Sequence, residues 1–152
     1  MGVLYDYFRA PALDEVRRLL DDTEGESPLG TFDGLDLKSL EPSVVVGQLI
    51  AAVLDQEWTM SLVADRLIWP MSAETDPEYD GPWVTVLGDH ARDVLAGIPA
   101  DRVPALATQW ATAEEFHGHG DPSFLATVIP ELSALASRAR EAGESLYCWS
   151  SL

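Results

Sequence analysis

Two short aromatic stretches stand at opposite ends of the chain, "GVLYDYF" at residues 2–8 and "SLYCWSSL" at 145–152, and most of what lies between them carries a helical pattern. The first mixes β-branched, aromatic and apolar residues without helix formers, and reads as a strand largely buried on both faces. The second reads as another strand. Buried backbone donors and acceptors must be paired, so each of these strands needs a partner from far away in the sequence. The clearest interior strand is "WVTVLG" at 83–88, with Trp83, Thr85 and Leu87 on one side and Val84 and Val86 on the other. The expectation is a single α+β domain over residues 1–152. Its core is a small sheet of three strands, or slightly more, containing both chain termini and covered by five to six helices.

The helical pattern is read from spacing and caps. Pro11 opens a helix over residues 12–22 whose stripe is Leu13, Val16, Leu19 and Leu20, with Asp14 and Glu15 near the positive end of its dipole. Pro42 falls in the first turn of a second helix. Val44, Val45, Val46, Leu49, Ile50, Val53 and Leu54 make that helix apolar nearly all round, the mark of a central buried element. Gly47 within it points to close approach by another segment. In "EWTMSLVADRLIWP", Trp58, Leu62 and Leu67 fall at helical spacing. Asp89 reads as the N-cap of a short helix ending near Gly97. A further helix carries Val103, Leu106, Ala107 and Trp110 at the i, i+3, i+4 and i+7 positions. Asp121-Pro122 starts the longest one, with Phe124, Leu125, Val128, Ile129, Leu132, Leu135 and Ala139 on its buried face and Gly143 as its C-terminal cap. Pro130 inside it is expected to kink or divide it.

Charge narrows the function classes. Nine basic residues against 26 acidic ones give a net charge of −17. Such a field repels nucleic-acid phosphates and anionic membranes, and it steers basic proteins toward the surface. The acidity has three readings: solubility alone, docking onto a cationic partner, or adaptation to high salt. The docking reading selects two loops, "DDTEGE" with Asp21, Asp22, Glu24 and Glu26, and "ETDPEYD" with Glu74, Asp76, Glu78 and Asp80. Tyr79 in the second is a candidate anchor, since tyrosine supplies contact area at low entropic cost. The apolar runs fall short of a membrane span, and Asp6 and Arg9 interrupt the apolar stretch near the start where a leader would lie. The lone Cys148 forms no internal disulfide. A cytoplasmic protein is the expectation.

Motifs for chemistry are sparse. His117, His119 and Asp121 have the H-x-H-x-D spacing of part of a dinuclear metallo-hydrolase site. A hydrolytic zinc needs three protein ligands, Pro122 follows where a third histidine would stand, and His90 is the one other histidine. Asp121 has a competing local role as helix cap, so the segment reads as a loop and no metal is assigned. Cys148, between Tyr147 and Trp149, reads as a buried small hydrophobe, although spacing alone does not exclude a pair with His90. There is no nucleophile elbow, phosphate loop or zincin motif, and no cofactor is expected. Tyr5, Tyr7, Trp83, Tyr147 and Trp149 fall on the three predicted strands, and Trp69 just before a loop. They read as packing between sheet and helices, or as an aromatic-lined pocket or interface at one end of the sheet.

The opening "MGVLYDYF", the middle "FDGLDLKSLEPSVVVGQL", the run "WVTVLGDHARDVLAGIPADRVPAL" and the close "ASRAREAGESLYCW" resemble, in order and spacing, the YfbM-like family of uncharacterised bacterial proteins. The resemblance implies a compact α+β fold and carries over no catalytic residue. Together with the charge, it leads to two expectations. The first is a non-enzymatic module that binds a basic protein, of the immunity or antitoxin-inhibitor type. The second is a small-molecule binder or weak enzyme with an aromatic-lined pocket.

Overall fold

The computed structural model describes residues 2–152. The chain runs β1 (Leu4–Ala10), α1 (Leu13–Thr23), β2 (Gly34–Asp36), α2 (Gly47–Leu54), β3 (Arg66–Trp69), β4 (Trp83–Val86), α3 (Asp89–Ala96), α4 (Val103–Trp110), α5 (Pro122–Glu141) and β5 (Ser145–Ser151). The strands form one antiparallel sheet in the order β2-β1-β5-β4-β3. The two terminal strands are its centre: β1 and β5 pair along their whole length, from Leu4 opposite Ser151 to Ala10 opposite Ser145. β4 lies on the far side of β5, as expected for "WVTVLG".

The sheet has five strands where the patterning predicts about three. β3 occupies a segment whose apolar spacing predicts a helix. Ile68 is buried among Val16 and Leu20 of α1 and Val84 of β4, and this packing outweighs the local helical spacing. Trp58 and Leu62 pack inward from a single 3-10 turn at Met60–Leu62 and the loop before it. β2 is three residues long and lies at the sheet edge. Gly34 makes the pairing possible, because a Cβ there would fall 2.2 Å from the Tyr7 carbonyl oxygen.

Each face of the sheet has its own core. On one face, Tyr7, Leu146 and Cys148 pack beneath α2, α3, α4 and α5. On the other, Phe8, Ala10, Val84, Val86, Tyr147 and Trp149 pack against Val16 and Leu20 of α1. Phe8 stacks on Tyr147 and Phe32 with ring centroids 5.3 and 5.7 Å apart. In the helical layer the buried Trp110 indole donates to the Val45 carbonyl at 2.8 Å. Trp58 donates to the Ser43 carbonyl at 3.0 Å. It also lies against Gly47, where a Cβ would come within 2.6 Å of its Nε1, so Gly47 does mark a close approach.

Four local expectations are corrected. The second helix begins as a π turn over Pro42–Val46, capped by the Glu41 carboxylate, which accepts from the Ser43 and Val44 amides at 2.7 Å each. α3 takes Gly88 as its N-cap, and Asp89 is its first residue. α5 runs unbroken for 20 residues through Pro130. Pro130 lies on its exposed side, while Leu125, Val128, Ile129, Leu132, Leu135, Ala136 and Ala139 are buried on both sides of it. That shared face holds the two halves in line against a local cost of about 3 kcal/mol. Phe124, placed on the buried face by spacing, is 53% exposed.

Candidate functional site

The strand register defines two ends of the sheet. At one, Tyr5 pairs with Ser150, which pairs with Trp83. At the other, Ala10 pairs with Ser145 and Arg66 with Val86. The two acidic loops meet at the first end. Trp69 donates its indole N–H to Asp21 Oδ1 and Trp149 donates to the Gly25 carbonyl, both at 2.9 Å, pinning the first loop to the sheet. Gly25 is buried with φ 87°, and a Cβ there would sit 2.8 Å from Pro82 and 2.9 Å from the Trp69 ring. The segment around it is thus pressed onto both ends of the second loop, which leaves and rejoins the sheet at the cis peptides Trp69–Pro70 and Gly81–Pro82. Below, Ser27 donates to the buried Asp6 carboxylate at 2.5 Å, and burial raises the Asp6 pKa above the ordinary aspartate value.

Asp21, Asp22, Glu24, Glu26, Glu74, Asp76, Glu78 and Asp80 are all exposed, and none forms an ion pair among the described residues. Tyr79 is only half exposed. Its hydroxyl donates to the Pro82 carbonyl at 2.7 Å and its ring meets Trp83 edge-on at 5.9 Å, so it braces the loop as much as it faces outward. The ion-paired arginines cluster at the opposite end. Arg9 bonds both Asp33 and Glu144, Arg138 bonds Asp33 at 2.7 Å, and Arg92 bonds Asp93 at 3.0 Å and the Glu144 carbonyl at 2.8 Å. Arg17 reaches toward the acidic end, but its Nε donates to the Ile68 carbonyl at 2.9 Å.

A cleft of about 320 Å³ opens at the acidic end, on the same face of the sheet as Tyr7 and Cys148 and beside the Glu41–Pro42 turn that precedes α2. Tyr5, Leu67, Trp83, Thr85 and Ser150 rise from the strands into it, and Glu41, Pro42 and Asp65 stand along its side. Its polar groups are under-used. Thr85 Oγ1 is buried without a hydrogen-bond partner. The other four tryptophans donate to protein acceptors, whereas the Trp83 indole N–H has none among the described residues. Asp65 accepts only from the Ser43 hydroxyl, at 2.8 Å. Neither Asp65 nor Glu41 is ion-paired among the described residues. Burial, and then the Glu41 charge, raise the Tyr5 pKa, so its hydroxyl stays protonated.

Of the strand aromatics, Tyr7, Tyr147 and Trp149 are buried in the two cores, while Tyr5 and Trp83 line the cleft. Glu41, Asp65, Thr85 and Ser150 carried no sequence signal for a site, except that alternation along β4 places Trp83 and Thr85 on one side. His117 follows a one-turn helix in a left-handed conformation, φ 50°. Asp121 Oδ1 accepts from the Ser123 amide at 3.0 Å and caps α5. Among the described residues no three histidine, cysteine or carboxylate groups converge as a metal site. Cys148 is fully buried, and that burial raises its thiol pKa far above the ordinary value. His90 is exposed on α3 and shares no bond with it.

No helix among the described residues is long and apolar enough to cross a membrane. Compared with protein-family models, with curated proteins and with solved structures, the chain finds no match in any of the three.

Proposed function

We propose that the chain is a non-enzymatic, cytoplasmic protein-binding module that engages a basic partner through its acidic end, in the manner of an immunity- or antitoxin-type inhibitor. The observation that supports this is the division of charge along the sheet. Eight exposed carboxylates, from the last turn of α1 and the two loops, are held together at one end without an ion-pair partner among the described residues, while the ion-paired arginines are at the other. Charges spaced within a Debye length of about 8–10 Å repel one another, and a cationic surface laid over them relieves that repulsion. The same field accelerates encounter with such a surface. The resemblance to the YfbM-like family belongs to this reading as a kinship of fold, and no residue's role rests on it.

The test compares the natural chain with a variant carrying Glu74→Lys, Asp76→Lys, Glu78→Lys and Asp80→Lys in capture from the native cell. The expected result is a cationic protein retained by the natural chain, with an association rate that falls steeply with salt, and lost by the variant. Recovery of no partner at moderate salt, or equal retention by the variant, overturns the proposal. The cleft favours a second reading, a small-molecule-binding protein or weak enzyme with an aromatic-lined pocket. Stabilisation by a metabolite in a thermal-shift screen, with no protein captured, would select it.

A further inference from the structure

From the cleft and its place beside the acidic loops we infer that it is the specificity pocket of the docking surface, accepting one arginine or lysine side chain of the partner together with the backbone carbonyls that flank it. The inference rests on the reading of the acidic end as a docking face and names what that face recognises.

Three properties of the cleft select this occupant. Its charge is one-sided: Asp65 and Glu41 lie along it without an ion-pair partner among the described residues. The Glu41 oxygens are engaged by the amides of the turn that follows it. Asp65 accepts a single hydroxyl, through Oδ1, and is the carboxylate open to a cation. Its walls suit a long aliphatic stem ending in a charge, since Leu67 and Pro42 are apolar and Trp83 and Tyr5 are aromatic, the side chains whose ring faces attract ammonium and guanidinium groups.

The remaining polar groups ask for acceptors. The Trp83 indole N–H is donor-only and unpartnered among the described residues, and the Thr85 hydroxyl is buried and unpartnered. A peptide supplies such acceptors as its carbonyl oxygens, where an inorganic cation or a simple amine supplies none.

Continuity with the docking face comes through Trp83. Its ring lines the cleft on one side and meets Tyr79 of the acidic loop on the other, and Gly81 lies so close that a Cβ would fall 2.8 Å from it. A basic segment lying across the 74–80 loop therefore passes the mouth of the cleft. The volume, about 320 Å³, fits one side chain and part of its backbone rather than a folded element.

The test uses blocked tripeptides, acetyl-Gly-Arg-Gly-amide and the same peptide with citrulline or norleucine in place of arginine. Binding is followed by the Trp83 indole N–H resonance and tryptophan fluorescence. The expected result is a selective shift of the Trp83 indole with the arginine peptide, and little with the two neutral ones. Asp65→Asn, which keeps the acceptor for Ser43, and Thr85→Val should each weaken binding, Asp65→Asn by about tenfold. The Lys-substituted loop variant used for the docking face separates the two readings. If the cleft is real but the docking reading fails, that variant still shifts Trp83 with the arginine peptide while partner capture is unchanged. If the docking reading holds but the cleft fails, capture depends on the loop charges while no peptide moves Trp83. Three outcomes overturn the inference: an unmoved Trp83 resonance, equal binding of the citrulline peptide, and agmatine binding as tightly as the tripeptide. The last would make the cleft a small-amine site.

Discussion

Thr85 and Tyr7 share one row of the sheet, each directly opposite Cys148, from β4 and β1 respectively. Their hydroxyls differ in one respect. Tyr7 donates to the Leu40 carbonyl at 2.5 Å, whereas the buried Thr85 Oγ1 has no partner. Deleting each hydroxyl with its shape kept, as Tyr7→Phe and Thr85→Val, should therefore shift stability in opposite directions. Tyr7→Phe leaves the Leu40 carbonyl unsatisfied at a cost of about 1–3 kcal/mol. Thr85→Val removes a polar atom from a site that does not satisfy it, recovering up to about 1–3 kcal/mol of desolvation, and valine suits a strand at least as well as threonine. For a chain of this length each kcal/mol moves Tm by about 2–4 °C. Thr85→Val should therefore melt higher than the natural chain by up to about 2–12 °C, and Tyr7→Phe lower by a similar amount. Thr85→Ser, which keeps the hydroxyl and loses the methyl, should fall below both threonine and valine. Urea titration followed by circular dichroism, with the slope unchanged between variants, gives the free energies directly. If Thr85→Val melts below the natural chain, the hydroxyl is satisfied in the native state and the argument from an under-used cleft fails.

The pH dependence of stability has two opposed contributions at known positions. Asp6 has a folded pKa raised by burial, with the Ser27 hydroxyl acting the other way, so its favourable contribution is present at low pH and lost as pH rises through the folded value. Asp6→Asn should therefore gain on the natural chain between about pH 3 and pH 7 in thermal melts, and a constant difference would refute this. Asp33 is lowered by its bonds to Arg138 and Arg9, so its contribution is present at neutral pH and lost as pH falls through the folded value. Asp33→Asn should cost stability at pH 7 and match the natural chain in strong acid. Cys148, buried with its thiol pKa raised, should resist alkylation by iodoacetamide in the native state and label fully in urea. Rapid native labelling would show that the strand face opens.

The terminal strands, "WVTVLG" and the long last helix were legible because their patterns and their packing agree. Tyr7 and Phe8 face different cores, as a strand buried on both faces requires. What was hidden was decided by contacts distant in sequence. Leu67 keeps helical spacing with Trp58 and Leu62, yet the strand position of Ile68 depends on Val16, Leu20 and Val84, which no local window contains. β2 depends on Gly34 passing close to the Tyr7 carbonyl, and sequence shows only a glycine between Asp33 and Leu35. The second acidic loop was legible as a loop, and so was the first from Glu24 onward, but Asp21 and Asp22 lie in the last turn of α1. The meeting of the two loops depends on the indoles of Trp69 and Trp149, which sequence places on strands without saying what they hold. Tyr5 and Trp83 were candidates for a pocket. Asp65 and Glu41 were invisible among so many carboxylates until the fold set them along one cleft.

With 26 acids and nine cations, many carboxylates must stay unpaired wherever they lie, so their lack of partners is a matter of supply. Their location is not. Exposed carboxylates also stand elsewhere, Asp14, Glu15, Asp55, Glu57 and Asp101 among them. But adaptation to high salt would spread acid over every exposed face, and the exposed side of α5, the longest helix, carries Glu131 and Glu141 against Arg138 and Arg140. Solubility alone sets no location and gives no reason to bind two acidic loops to each other. Here two indoles, a buried glycine and a proline hold them together, while Arg17, the cation that reaches toward them, donates to a backbone carbonyl. At the same end of the sheet lies a hydroxyl with no partner. Each arrangement raises the free energy of the isolated chain, and such departures from local satisfaction gather where a fold meets something else. One cationic partner would relieve both, by covering the loops and filling the cleft. That is why a site at this end accounts for more than either feature taken alone.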